Sequence, residues 1–184
     1  MVDLNGLKVA VLATDLFEQI ELTEPKKALE GSGAEVSIIA PDSGRIQGAN
    51  HDEKADSFKV DLTLEDANPN DFDAALLPGG TFSADQLRID EKAQDFIKAI
   101  DSAGKPIAVI CHGSWLLVSA DLVNGRTMTS FHTLQDDIRN AGGEWVDQVV
   151  VRDANWVSSR KPDDLSAFDD EMLKLFAEHK PVAA

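Results

Sequence analysis

A lone cysteine, Cys111, in 184 residues leaves no partner for an internal disulfide. The four histidines, at positions 51, 112, 132 and 179, lie far apart without metal-ligand spacing, so no metal site is expected. No apolar run approaches the ~20 residues that cross a bilayer. The opening Met1-Val2-Asp3-Leu4-Asn5 has neither the basic nor the apolar stretch of a secretion signal. Basic residues are the minority, 17 against 33 acidic, for a formal charge of −16. A field of that sign repels phosphate backbones and anionic lipid, which argues against nucleic-acid and membrane partners. The charge is read as serving solubility, and the chain is expected in the cytoplasm. What remains is an ordinary globular composition, 43% hydrophobic and 27% charged, with length for one domain over 1–184.

Lys8-Val9-Ala10-Val11-Leu12-Ala13 is a short apolar run with β-branched residues, the pattern of a strand buried on both faces of a parallel sheet. Thr23-Glu24-Pro25 predicts a helix start, with Thr23 as N-cap and proline in the first turn, and Gly31-Ser32-Gly33 its end. A strand over 35–40 completes a right-handed β-α-β unit. Short hairpin-like strands are expected near 44–48 and 57–61, with no phosphate-loop pattern. The rhythm resumes with a strand over 73–78, a helix over 91–103 with Ala93, Phe96, Ile97 and Ile100 on one face, and a strand over 106–110. Beyond Cys111 the pattern predicts a helix over 114–120, a strand near 127–129, a helix near 134–140, antiparallel strands over 145–151 and 156–159, and a closing helix over 165–178. This alternation argues for a doubly wound α/β fold with a mostly parallel sheet and helices on both faces.

In such sheets ligands bind beyond the carboxyl ends of the strands. Three turns fall there: 15–19, Gly79-Gly80 and Cys111-His112-Gly113. Cys111 directly follows an apolar strand and precedes a helix, the arrangement of a nucleophile elbow, and Gly113 leaves the backbone room to turn. The positive end of a helix dipole is expected to favour thiolate there, with His112 adding charge or acting as base. On these residues alone, a buried inert cysteine is the alternative.

Cys111-His112-Gly113, Leu77-Pro78-Gly79-Gly80, Asp15-Leu16-Phe17-Glu18 and Ser158-Ser159-Arg160-Lys161-Pro162-Asp163-Asp164-Leu165 together resemble the PfpI family, within the superfamily of the parkinsonism-associated protein deglycase. The resemblance implies a flavodoxin-like, class I glutamine-amidotransferase-like sheet, with Cys111 as nucleophile and His112 as the base beside it. Glu18 matches the family's carboxylic acid against the sulfur, where burial and like charge would hold it neutral. Gly79 and Gly80 match its paired-glycine turn, whose N–H faces a developing oxyanion together with that of His112. Asp85 matches an acid that, in oligomers of this type, reaches His112 of a neighbouring subunit. Two departures stand out: residues 81–84 carry one extra position with Ala84 where proline is expected, and Ser114-Trp115 replaces the usual pair. Trp115 is read as a core or interface aromatic, His132 and Trp156 as packing or surface residues, and His51 and His179 as surface.

The activity implied is that of a stress-related enzyme on small reactive carbonyls or glycated substrates, taking methylglyoxal to lactate through a hemithioacetal on Cys111, with weak peptidase activity as an adjunct. No cofactor is required, and a homodimer or higher homo-oligomer is expected. A non-catalytic oxidative-stress sensor or holdase chaperone would use the same thiol. A glutamine amidotransferase lacks its downstream His-x-Glu pair here, and a transcription regulator would need a further DNA-binding domain.

Overall fold

The computed structural model describes residues 2–180. In chain order it comprises β1 (Lys8–Leu12), β2 (Phe17–Glu18), α1 (Gln19–Gly31), β3 (Glu35–Ala40), β4 (Arg45–Asn50), β5 (Glu53–Lys59), β6 (Leu62–Thr63), β7 (Ala74–Leu77), α2 (Thr81–Arg88) and α3 (Glu91–Ser102). There follow β8 (Ile107–Ile110), α4 (Ser114–Ser119), β9 (Thr127–Met128), α5 (Gln135–Asn140), β10 (Glu144–Trp145), β11 (Val150–Asp153), β12 (Trp156–Ser159) and α6 (Leu165–Glu178).

Seven strands form the central sheet in the order β11-β12-β8-β7-β1-β3-β6, every neighbour parallel except the β11/β12 edge pair. Its strands are short and apolar on both faces, as a sheet covered on both sides requires. Val9, Val11, Ala108 and Ile110 face a layer containing Phe168, Met172 and Leu175 of α6. Ala10, Leu12, Ile107 and Val109 face Phe96, Ile97 and Ile100 of α3. Each large side chain so buried stabilises the fold by roughly 1.5–3 kcal/mol relative to exposure. From β1 the chain winds first to β3 on one side and then to β7 on the other, so the sheet has a switch point where a crevice opens at the strands' carboxyl ends.

Three local expectations are corrected. First, α1 begins at Gln19, not Thr23, and carries Pro25 inside it. Proline there removes one i→i−4 bond, from the carbonyl of Glu21, and the buried Pro25 ring packs in the helix instead of opening it. Second, α2 is a helix where the sequence reading placed no element; its buried face is Ser83, Ala84 and Leu87, too small and too polar to show an apolar period. Third, Trp145 does not share a strand with Val151: β10 pairs in parallel with β9, and only Val150–Asp153 lies antiparallel to β12.

Candidate active site

Cys111 closes β8 with φ of +60°, a left-handed conformation uncommon for a residue with a Cβ. One 3-10 turn, Cys111–Gly113, leads into α4. Gly113 has an ordinary φ of −53°, so the sharp bend is borne by the cysteine itself. What glycine supplies is proximity: a Cβ at 113 would stand 2.5 Å from the Leu77 carbonyl oxygen and 2.9 Å from that of Pro78. The end of β7 and the Cys111 turn therefore interlock.

Cys111 Sγ lies 3.2 Å from His112 Nδ1. The imidazole is stacked on Phe131 with ring centroids 4.8 Å apart and meets Trp115 edge-on at 5.2 Å. Trp115 is itself fixed by its indole N–H, which donates to Asp137 Oδ2 at 2.9 Å, and by the Arg88 guanidinium 5.0 Å over its ring. Burial, helped by the charge of His132, holds His112 below its ordinary value of 6.5, so it is a neutral acceptor at pH 7.

The carboxyl against the sulfur is that of Glu21, not Glu18. Glu21 is fully buried on the first turn of α1 and interacts with the Cys111 thiol. Its Oε2 accepts the Gly79 N–H at 2.8 Å, and its Oε1 is buried with no hydrogen-bond partner. Burial pushes this carboxyl up to about 8, with the charge of Glu18 adding to the rise against the Gly79 N–H and the thiol. Glu21 thus keeps its proton at neutral pH. Glu18 sits further out, its Oε2 accepting the His51 N–H at 3.1 Å. The misplaced helix start explains the error: with α1 begun at Thr23, Glu21 falls in a loop and Glu18 in the conspicuous turn.

Burial and the Glu21 charge push the Cys111 thiol up, and the N–H groups of His112 and Gly80, which face the sulfur, pull it down. The expected helix-dipole depression does not dominate, since α4 has six residues and starts three positions beyond the cysteine. The Glu21 charge raises the thiol and burial raises both groups, so a charged sulfur is favoured by a protonated Glu21.

Gly80 has φ of +93°, and a Cβ there would stand 2.7 Å from Phe17 Cα, so both backbone conformation and space demand glycine. Its N–H points at the sulfur, whereas that of Gly79 is taken by Glu21. The amides that act on the thiol are therefore those of Gly80 and His112. Gly79 holds the acid, and Gly113 seats the turn. A cavity of about 540 Å³ opens above this cluster, with Leu16, Phe82 and Phe131 on its apolar side and Glu18, His51 and Asp52 on its polar side. His51 is exposed, as expected, yet it belongs to the wall. Trp156 is a core residue.

The sequence matches the DJ-1/PfpI family over residues 7–175. The chain belongs to that family. Deglycase PfpI of Pyrococcus furiosus is 43% identical over 169 residues, covering 92% of this chain and 99% of that protein. General stress protein 18 of Bacillus subtilis is 42% identical over 172 residues, covering 92% and 98%. A crystal structure from Anabaena variabilis, a two-domain protein with DJ-1/ThiJ/PfpI-like and ferritin-like domains, superposes with a TM-score of 0.86 at 31% identity over 91% of this chain. This chain spans about half of that two-domain protein, 47%.

The remaining motif of the DJ-1/PfpI resemblance has a structural account. Arg160 grips the buried Asp164 with Nε at 2.8 Å and Nη2 at 3.1 Å and reaches Asp147 with Nη1 at 2.8 Å, which fixes the turn that puts Pro162 on the cavity wall. Asp85 is exposed on α2 and lies outside the cavity lining. Among the described residues no group of His, Cys, Asp and Glu is arranged to hold a metal ion, and no helix is long and apolar enough to cross a membrane. Glu21 is the residue sequence reading missed. The available signal was the Phe17–Glu21 spacing, a strand end followed by one helical turn.

Proposed function

We propose that this chain is a cysteine-dependent enzyme acting on small reactive carbonyl compounds, of deglycase or glyoxalase type, with methylglyoxal to lactate as its diagnostic reaction. The observation that carries the reading is the 3.2 Å approach of Cys111 Sγ to His112 Nδ1, at a left-handed turn whose Gly80 and His112 amides face the same sulfur. The deglycase name of the Pyrococcus relative and the stress-protein name of the Bacillus one support it.

At neutral pH His112 takes the thiol proton, and protonated Glu21 donates a hydrogen bond to the sulfur left behind. The thiolate adds to the aldehyde carbon: a C–S bond forms and the carbonyl electron pair moves to oxygen, toward the Gly80 and His112 N–H groups. His112 returns its proton to that oxygen, giving the hemithioacetal, and the freed imidazole then relays the carbon-bound proton to the neighbouring carbonyl carbon while the hydroxyl proton passes to that carbon's oxygen. That shift oxidises the first carbon to a thioester and reduces the second to a carbinol, with no external electron acceptor. Water adds to the thioester, Cys111 departs as thiolate, and lactate is released. One aldehyde and one water are consumed.

Assembly is part of this proposal. Phe82 on α2 and Ile89 just beyond it are exposed on either side of Asp85, so a second copy packed there would bury two apolar side chains, and the family resemblance has Asp85 reach His112 of that neighbour.

The test incubates wild type and Cys111→Ala with methylglyoxal in a buffer without reactive amines and follows lactate. Many turnovers in wild type and none in the variant are expected. Loss of at most one aldehyde per thiol, with no lactate, overturns the reading in favour of a sensor or holdase.

A further inference from the structure

We infer that this cavity sorts carbonyl compounds by charge, admitting neutral ones and those bearing an ammonium or guanidinium group beside the carbonyl, and discriminating against carboxylate- and phosphate-bearing ones. Glu18 and Asp52 are the residues that impose the choice. The inference concerns the cavity of the enzyme reading above and rests on it for the word substrate.

Four observations converge. The cavity wall carries Glu18 and Asp52 at the mouth and Glu21 at the floor, and no Lys or Arg is among the described residues lining it. Basic side chains of the neighbouring segments are committed elsewhere: Arg160 to Asp147 and Asp164, Lys161 to Asp163 at 3.0 Å, and Arg88 to Ser119 and the Trp115 ring. Deep in the site, the buried Glu21 Oε1 has no donor. Phe82 and Phe131 line the same cavity and offer an anion no hydrogen-bond donor.

Glu18 is suited to meet a charged group. Its side chain is 12% exposed, so its field is less screened than that of a surface acid. Its Oε2 is held by the His51 amide, and among the described residues Oε1 takes no protein hydrogen bond. That latch also fixes the β4–β5 hairpin tip, where His51 has φ of +59° and Asp52 follows it, at the edge of the cavity. The His51 ring nitrogen Nδ1 stands 3.7 Å from Glu18 Oε2 at the same edge. An entering carboxylate loses water and meets two carboxylates in return; an entering cation exchanges water for them.

The test labels Cys111 with two methanethiosulfonates of matched size, one ending in trimethylammonium and the other in sulfonate. The runs are at pH 7.5 and 0.15 M salt, where fields from distant surface charges are screened beyond ~8 Å. Each rate is divided by that of the same reagent with a free small thiol, and the cation-to-anion quotient is the readout. Any change in thiol acidity cancels in that quotient. Wild type is expected to give at least tenfold, and Glu18→Gln or Asp52→Asn to cut it by threefold or more. Glu35→Gln, which removes an exposed acid at the opposite end of the sheet, leaves it unchanged. A wild-type quotient near one, or an equal drop with Glu35→Gln, overturns the inference. Asp52→Asn sits at an exposed turn and keeps the test decisive if Glu18→Gln does not fold. Labelling needs no turnover, so a protein that sorts the reagents but makes no lactate sinks the enzyme reading alone.

Discussion

Two carboxyl groups at opposite ends of β8 show how this chain treats a shielded acid. Asp101, at the end of α3, gathers three donors on one oxygen, one of them charged: its Oδ1 accepts from Arg126 Nη2 at 3.0 Å, Asn155 Nδ2 at 3.1 Å and Trp156 Nε1 at 2.7 Å. Arg126 in turn lies 4.2 Å over the Trp156 ring, so the cluster ties α3, β12 and the β9 region together. Glu21, beyond the other end of the strand, has one donor and one bare oxygen. Three donors, one of them a guanidinium, stabilise an ionised acid and fix local structure. One neutral amide, in full burial, leaves a carboxyl that holds or shares a proton. The first arrangement serves folding, and the second leaves hydrogen-bonding capacity for a reacting sulfur.

The contrast is sharpest under isosteric substitution. Glu21→Met, of similar shape, offers neither an acceptor for the Gly79 N–H nor a donor for the sulfur, and is expected to lower kcat/KM for methylglyoxal by about 10²–10³-fold, the range seen when a single reaction-centre hydrogen bond is lost. Purified variant with near wild-type turnover would break the comparison. Asp101→Ala should do the reverse, costing about 2–3 kcal/mol of stability by stranding charged and neutral donors, with kcat/KM within a few-fold of wild type. Chemical denaturation and steady-state kinetics on one preparation separate the two outcomes.

A further effect lies in pH dependence. Folding lifts Glu21 from 4.5 to about 8, so the folded state binds a proton the unfolded chain has already released. Its contribution to stability is fully present below pH 4.5 and declines as pH rises toward 8, at no more than ~1.4 kcal/mol per pH unit. Wild type should therefore lose Tm relative to Glu21→Gln between pH 5 and 8. Parallel curves for the two would contradict a buried, proton-holding Glu21.

How much of this was legible follows from where the signals sit. Strands such as Lys8–Leu12 and Ile107–Ile110 announce themselves because burial on both faces leaves continuous apolar runs. α3 does so because its buried positions keep a 3.6-residue period. Cys111 was readable from its place between a strand and a helix. Glu21 was not, because Pro25 reads locally as a first-turn residue and only packing keeps it seven positions into α1. α2 stayed hidden for a related reason: its core face is built of Ser83 and Ala84, and its large apolar residues, Phe82 and Ile89, point outward. Gly79 and Gly113 looked like turn formers, but their need is for proximity to Glu21 and to the end of β7, which no local window contains.

The left-handed torsion at Cys111 separates two kinds of inheritance. Because the backbone at Cys111 directs both its own Cα–Cβ bond and the amide of the next residue, the main chain at this turn restricts where the thiol can stand, and that restriction survives most side-chain changes around it. The side chains that meet the rest of a substrate belong to other segments, on the β4–β5 tip and at the start of α2. Mutations there can alter which molecule is accepted while the bond-making step stays as it was. A lineage with this turn can change its diet without relearning its chemistry.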